Sequence, residues 1–166
     1  NEIPFLSPKW MDMLSYTEQT TRKLNMYTDM NTGTGWPFGG PEISINDAAC
    51  KLIVQKYDLN GGEFLKDKII VQDKHQQPFA YLSRLMAFSK DRKQRIDITS
   101  SVDKDGTLFW SAPGTDKWDL IALFIGRTLQ KVKRAAPGGE GLVMDHFSNS
   151  AIKCYFSKFD QAFARV

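Results

Sequence analysis

The sequence predicts an α+β protein in which an antiparallel, β-sandwich-like module, residues 63–134, is inserted between two α/β segments, residues 1–62 and 135–166. Three observations carry that prediction. Apolar side chains recur at helical spacing near both ends of the chain, the period switches to that of strands after Asn60-Gly61-Gly62, and it returns to helical beyond Ala135-Ala136-Pro137. A chain of 166 residues, 42% hydrophobic and 12% aromatic, has enough apolar material for one sizeable core or two small ones.

Ser7-Pro8 opens the first helix. The serine side chain accepts from first-turn amides, proline has no donor to lose at the first helical position, and Trp10, Leu14, Thr17, Thr21 and Leu24 follow at helical spacing. Met26 to Asn31 reads as a short strand running into Thr32 to Pro41, a loop whose glycines and prolines forbid regular structure. Ser44 and Asp47 have capping-box spacing, which predicts a second helix reaching about Tyr57. Strand-like runs then cover Lys66 to Gln72, Pro78 to Ser89, Gln94 to Val102, Thr107 to Ala112 and Trp118 to Thr128. Turn chemistry at Asp105-Gly106 and Pro113-Gly114 suits a meander or sandwich better than crossover units. Gly141 to His146 follows a Pro-Gly-Gly loop, and Ser148 starts a last helix with Ile152, Tyr155, Phe156, Phe159 and Phe163 on one face.

Charge narrows the partners. The 22 basic and 19 acidic residues are mixed along the chain and leave a net charge of +3, so no concentrated basic face points to nucleic acid or to anionic lipid. No run approaches the roughly 18 apolar residues of a membrane span. The chain opens at Asn1 with no charged-then-apolar leader, consistent with an export signal already removed or with excision from a larger protein. Cys50 and Cys154 could form one disulfide, but their apolar neighbours favour two buried thiols.

The most informative segment is Asp29-Met30-Asn31-Thr32-Gly33-Thr34-Gly35-Trp36-Pro37-Phe38-Gly39-Gly40-Pro41. Glycines let backbone approach a ligand, Trp36 offers a flat apolar face to the C–H side of a sugar ring, and Asp29 and Asn31 supply directional partners for hydroxyls. The plainer alternative is that Trp36 and Phe38 plug the end of a core while the glycines turn the chain. The loop has neither a Gly-x-Gly-x-x-Gly spacing nor a Gly-Lys-Ser/Thr ending, so it carries no phosphate-binding fingerprint.

The run from Phe5-Leu6-Ser7-Pro8-Lys9-Trp10 through Asp29-Met30-Asn31 to Trp36-Pro37-Phe38-Gly39-Gly40-Pro41 resembles glycoside hydrolase family 106, the α-L-rhamnosidases. Lys133 to Pro137, Gly141-Leu142 to Asp145 and Ser148 are similar to a second stretch of that family. The resemblance covers both flanks and the order of parts; the middle matches only in being β-rich. It implies that the flanks are segments of a (β/α)₈ barrel, that hydrolysis inverts the anomeric centre, and that calcium assists in the complete enzyme. It also implies a periplasmic or extracellular protein acting on plant or complex polysaccharides. Asp29, Asn31, Trp36, Gly39, Gly40, Asp145 and His146 are the candidate substrate-binding residues, with carbohydrate the expected partner.

Inverting hydrolysis needs two carboxylates roughly 6.5–9.5 Å apart, one protonated and one basic. Asp29, Glu42, Glu140 and Asp145 sit in candidate loops, but no residue type or spacing assigns the acid or the base. Two histidines, His75 and His146, are too few for a three-histidine metal site, and no metal ligand set is predicted. A barrel takes about 250 residues. The chain is therefore expected to be part of the enzyme, inactive alone and prone to self-association through exposed barrel faces. Two rivals remain. One is a non-catalytic carbohydrate-binding or structural module, with Trp110, Trp118 and Phe124 as a stacking platform. The other is a small-molecule enzyme with an intact site, which requires convergent carboxylates.

Overall fold

The computed structural model describes residues 2–164, which form two compact units. One comprises the residues up to 49 together with those from 128; the other is 50–127. The elements in chain order are α1 (Pro8–Lys23), β1 (Gly39–Gly40), β2 (Cys50–Asn60), β3 (Tyr81–Ser89), β4 (Arg95–Asp97), a 3₁₀ turn at Thr99–Ser101, β5 (Lys117–Arg127), β6 (Leu142–Val143) and α2 (Asn149–Phe163).

In the 50–127 unit the strands form one antiparallel sheet of order β2-β5-β3-β4. Strands β2 and β5 pair over their full length, from Cys50 opposite Arg127 to Asn60 opposite Lys117. A register irregularity between Leu82 and Arg84 interrupts the β3–β5 ladder. Alternation puts Tyr57, Leu59, Leu85, Ala87, Leu120, Ala122 and Phe124 in one buried cluster, and Leu85 and Leu120 are fully enclosed. Each such leucine contributes about 1.5–3 kcal/mol by leaving water. The buried face is covered by irregular chain, through Ile69, Val71, Ile98, Leu108 and Ala112. A single sheet with irregular cover thus stands where a sandwich was expected.

Several expected elements change. The helix expected from Ser44 ends as a turn: Ser44 Oγ donates to Asp47 Oδ2 at 2.7 Å, but the chain then enters β2. Within β2, Gln55, Tyr57 and Leu59 are buried while Leu52, Val54, Lys56 and Asp58 are exposed. That is period two, and eleven residues of pairing with β5 outweigh a local capping signal. The unit boundary accordingly falls after Ala49 and before Thr128. Lys66 to Gln72 and Thr107 to Ala112 are irregular, the second making isolated bridges from Leu108 to Val102 and from Ser111 to Phe64. Met26 to Asn31 forms no strand, and Tyr27 in it is almost wholly exposed.

Asp119 on β5 is buried, yet three cations reach it: Lys56 Nζ at 3.1 Å, Arg92 Nη2 at 2.8 Å and Lys90 Nζ at 3.9 Å. The hydrogen bond from Lys56, with the charges of Lys56 and Lys90, holds its carboxyl below the usual carboxylate range against the opposing effect of burial. A depressed folded-state pKa contributes stability above the unfolded value, and that contribution is lost as pH falls through the folded one. Asp119→Asn should therefore cost about 1–3 kcal/mol at neutral pH. The penalty should shrink below about pH 4. Urea unfolding of both proteins across that range checks it; a pH-independent difference would remove the ion pairs as the cause.

In the other unit, both helices carry the expected N-caps, Ser7 accepting from Trp10 N and Ser148 from Ala151 N, each at 3.3 Å. Strands β1 and β6 pair antiparallel, Gly39 opposite Val143 and Gly40 opposite Leu142. Ile43, Ala48, Met144, Ala151, Tyr155 and Phe159 make the core. All strand pairs among the described residues are antiparallel, so the flanks contain no parallel βα pair. Neither Cys50, which is exposed on β2, nor Cys154, which is half-buried on α2, is in a disulfide, so burial of both thiols does not hold.

Candidate functional site

The glycine-rich loop and the returning chain are stitched together by backbone. Trp36 N donates to the Lys133 carbonyl at 3.2 Å, Lys133 N to the Trp36 carbonyl at 3.1 Å, and Met144 N to the Phe38 carbonyl at 3.0 Å. Residues far apart in sequence thereby form one cleft of about 510 Å³, lined by Asn31, Gly33, Thr34, Gly35, Trp36, Phe38, Lys133 and Arg134. Trp36 remains 69% exposed in it, its ring 5.6 Å from Phe38 in an edge-to-face arrangement. Phe38 also stacks on Tyr155 at 6.2 Å and on His146 at 6.5 Å.

Tyr155 ties the loop to α2. Its hydroxyl donates to the Thr32 carbonyl at 2.5 Å, and Lys158 Nζ lies 4.4 Å from its ring centroid while pairing with Glu42 Oε1 at 2.7 Å. Burial, and then the Glu42 charge, push the tyrosine pKa up to about 12, so it stays a neutral donor. The Thr34 hydroxyl, by contrast, is buried with no hydrogen-bond partner among the described residues. Such an orphan costs about 1–3 kcal/mol unless a partner arrives.

Of the residues singled out by sequence, Asn31 and Trp36 line the cleft. Asn31 Oδ1 accepts from Gly33 N at 3.2 Å. Asp29 is exposed and is not among the lining residues. Gly39 and Gly40 are buried in β1, and a β-carbon on Gly40 would lie 2.8 Å from Glu42 Oε2, so their lack of side chain serves the chain's own packing. Asp145 Oδ1 accepts from Phe147 N at 3.0 Å in a turn before α2, while His146 is exposed beside Phe38. Sequence reasoning did not single out Lys133, Arg134 or Tyr155 as site residues. The first two lie within a stretch already notable for family resemblance; nothing in the spacing of Tyr155 separates an anchor from a core aromatic.

No acidic side chain lines the cleft. The other loop carboxylates are engaged elsewhere: Glu42 with Lys158, and Glu140 Oε2 with Gly138 N at 2.9 Å. Calcium wants six to eight oxygen ligands. Among the described residues no three His, Cys, Asp or Glu side chains converge. What the cleft offers is stacking, hydroxyl-matched polar groups and two cations. No helix among the described residues is long and apolar enough to cross a membrane.

Comparison with known proteins agrees with the chemistry. A protein of Formosa agariphila named "Putative beta-glucuronidase" is 21% identical over 191 aligned residues, covering 93% of this chain and 16% of that protein. The solved rhamnosidase of Novosphingobium sp. PP1Y matches in fold with a TM-score of 0.67, at 12% identity, over 99% of this chain and 32% of its own. The chain thus spans well under half the length of either relative. The α-L-rhamnosidase family model, glycoside hydrolase 106, matches residues 70–166, more than half of the chain. The chain belongs to the glycoside hydrolase 106 family of α-L-rhamnosidases.

Proposed function

We propose that the protein is part of the catalytic region of a secreted glycoside hydrolase that releases α-L-rhamnose from plant or complex polysaccharides with inversion. The cleft around Trp36 is its contribution to the sugar site. The observation that carries this reading is an exposed indole beside Asn31, Lys133 and Arg134, on backbone bonded to Lys133, in a member of a carbohydrate-cleaving family. A preorganised aromatic face with polar neighbours suits a pyranose, whose two faces are apolar and whose rim is hydroxylated. On this reading Trp36 stacks on the sugar, the Asn31 amide and the two cations orient its hydroxyls, and the general acid and base lie outside the cleft lining. The flanking unit would then be a portion of a larger barrel. Apolar side chains left exposed on it, among them Leu24, Phe156 and Phe163, would pack against the rest of that barrel and cause the 1–166 chain to associate.

The test compares the purified 1–166 chain with its full-length parent on aryl α-L-rhamnosides. Turnover is expected from the parent alone, because two carboxylates and a water must be held in place for inversion. In the parent, Trp36→Ala should lower kcat/KM about tenfold with little change in unfolding midpoint, the loss of one stacking contact. Full activity per folded molecule in that variant would take the loop out of the site.

A further inference from the structure

A second cleft, of about 610 Å³, opens in the 50–127 unit. We propose that it is a separate binding site for a neutral sugar unit, one that holds saccharide without cleaving it. The proposal rests on the family reading only in taking carbohydrate as the ligand class. Ile69 and Phe124 supply apolar lining, Tyr81, 58% exposed, adds an accessible ring, and Asp103 and Lys104 contribute an acceptor and a donor. This mix of ring, apolar surface and few polar groups, at this volume, is that of small-ligand sites.

Tyr81 and Phe124 sit on the paired strands β3 and β5, and the rest of the lining is held in shape although it carries no strand ladder. The buried side chain of Gln55 donates from Nε2 to the Ile70 carbonyl at 2.9 Å, and its Oε1 accepts from Gln72 N at 2.7 Å. Ile69 N donates to the Gly106 carbonyl at 2.7 Å, joining that segment to the next turn. That turn is set by Asp103 Oδ1, which accepts from Asp105 N at 2.9 Å and Thr107 N at 2.7 Å. Lys104 makes no ion pair among the described residues. A loop fixed by a buried amide around an open cleft is preorganised, which reduces the ordering cost of binding. Of the aromatic residues considered from sequence as a platform, Trp118 lies in the core and Phe124 borders the cleft from it, so the accessible ring is that of Tyr81.

Amide chemical shifts of the labelled 1–166 chain, titrated with methyl α-L-rhamnopyranoside and methyl β-D-galactopyranoside at millimolar concentrations, test the proposal. Saturable shifts are expected at Tyr81, Lys104 and Gly106 with at least one of the two. Tyr81→Ala should weaken that binding about threefold to tenfold, and Tyr81→Phe should retain it because the ring stays. Undisturbed amide shifts in β2 and α2 report that each variant is folded. Shifts confined to residues 31–38, no saturable shifts with either glycoside, or equal affinity in Tyr81→Ala would overturn it. Failure of the parent to cleave rhamnosides would instead sink the proposed activity and leave this site standing.

Discussion

Substituting Tyr155 by alanine is expected to lower the stability of the protein by about 3–5 kcal/mol, the range for removing a buried aromatic ring. The side chain is wholly buried and touches Phe38, Phe156 and Phe159, so its removal leaves a cavity behind the loop that carries Trp36. Tyr155→Phe keeps the ring and deletes only the donor to the Thr32 carbonyl, which should cost about 1–3 kcal/mol. The two variants separate packing from anchoring. A folded-state pKa raised from 10.0 to about 12 means the hydroxyl's contribution is intact below pH 10 and is lost as pH rises towards 12. Urea midpoints of wild type and Tyr155→Phe should therefore converge in alkali. If Tyr155→Phe unfolded at the wild-type midpoint at neutral pH, the Thr32 anchor would have no energetic weight.

Gly39→Ala should be comparably damaging, at about 3 kcal/mol or more, by overpacking and not by backbone strain. A β-carbon there would overlap the Leu142 carbonyl oxygen and lie 2.8 Å from Val143 Cα. Every obstructing atom is backbone, so no side chain can swing aside and the β1–β6 ladder must part. Gly62→Ala makes the contrasting control: φ is +79° but nothing lies within 4 Å of the added carbon. Only conformational strain applies at that position, about 1 kcal/mol. Equal unfolding midpoints for the two alanine variants would show that the β1–β6 approach is not as close as described.

The contrast between Gly39 and Gly62 also marks how far residue types alone could be taken. The residue types placed Gly39 in a sugar-facing loop and Gly62 at a change of period, but in the structure one admits a neighbouring strand and the other turns the chain. Likewise, Ser44 and Asp47 meet in a local turn, side chain to side chain and not in the side chain-to-backbone pattern of a capping box, and the expected helix is absent because Cys50–Asn60 finds a partner strand. Strand formation is decided by pairing across the chain, which no window of local sequence contains.

What the sequence determined by itself is what depends on near neighbours. The N-capped starts of α1 and α2, the alternation from Trp118 to Arg127 and the family resemblance of the aromatic loop motif all follow from contiguous residues, whereas Gly39–Gly40, expected to be irregular, forms β1 because Leu142–Val143 pairs with it. The tertiary structure alone decided which strands pair, that one sheet is roofed by irregular chain, and that Lys133 and Arg134 stand beside Trp36. Those outcomes require residues well separated along the chain to meet, as Trp36 meets Lys133, and their energy comes from backbone hydrogen bonds and burial that exist only once both partners are in place.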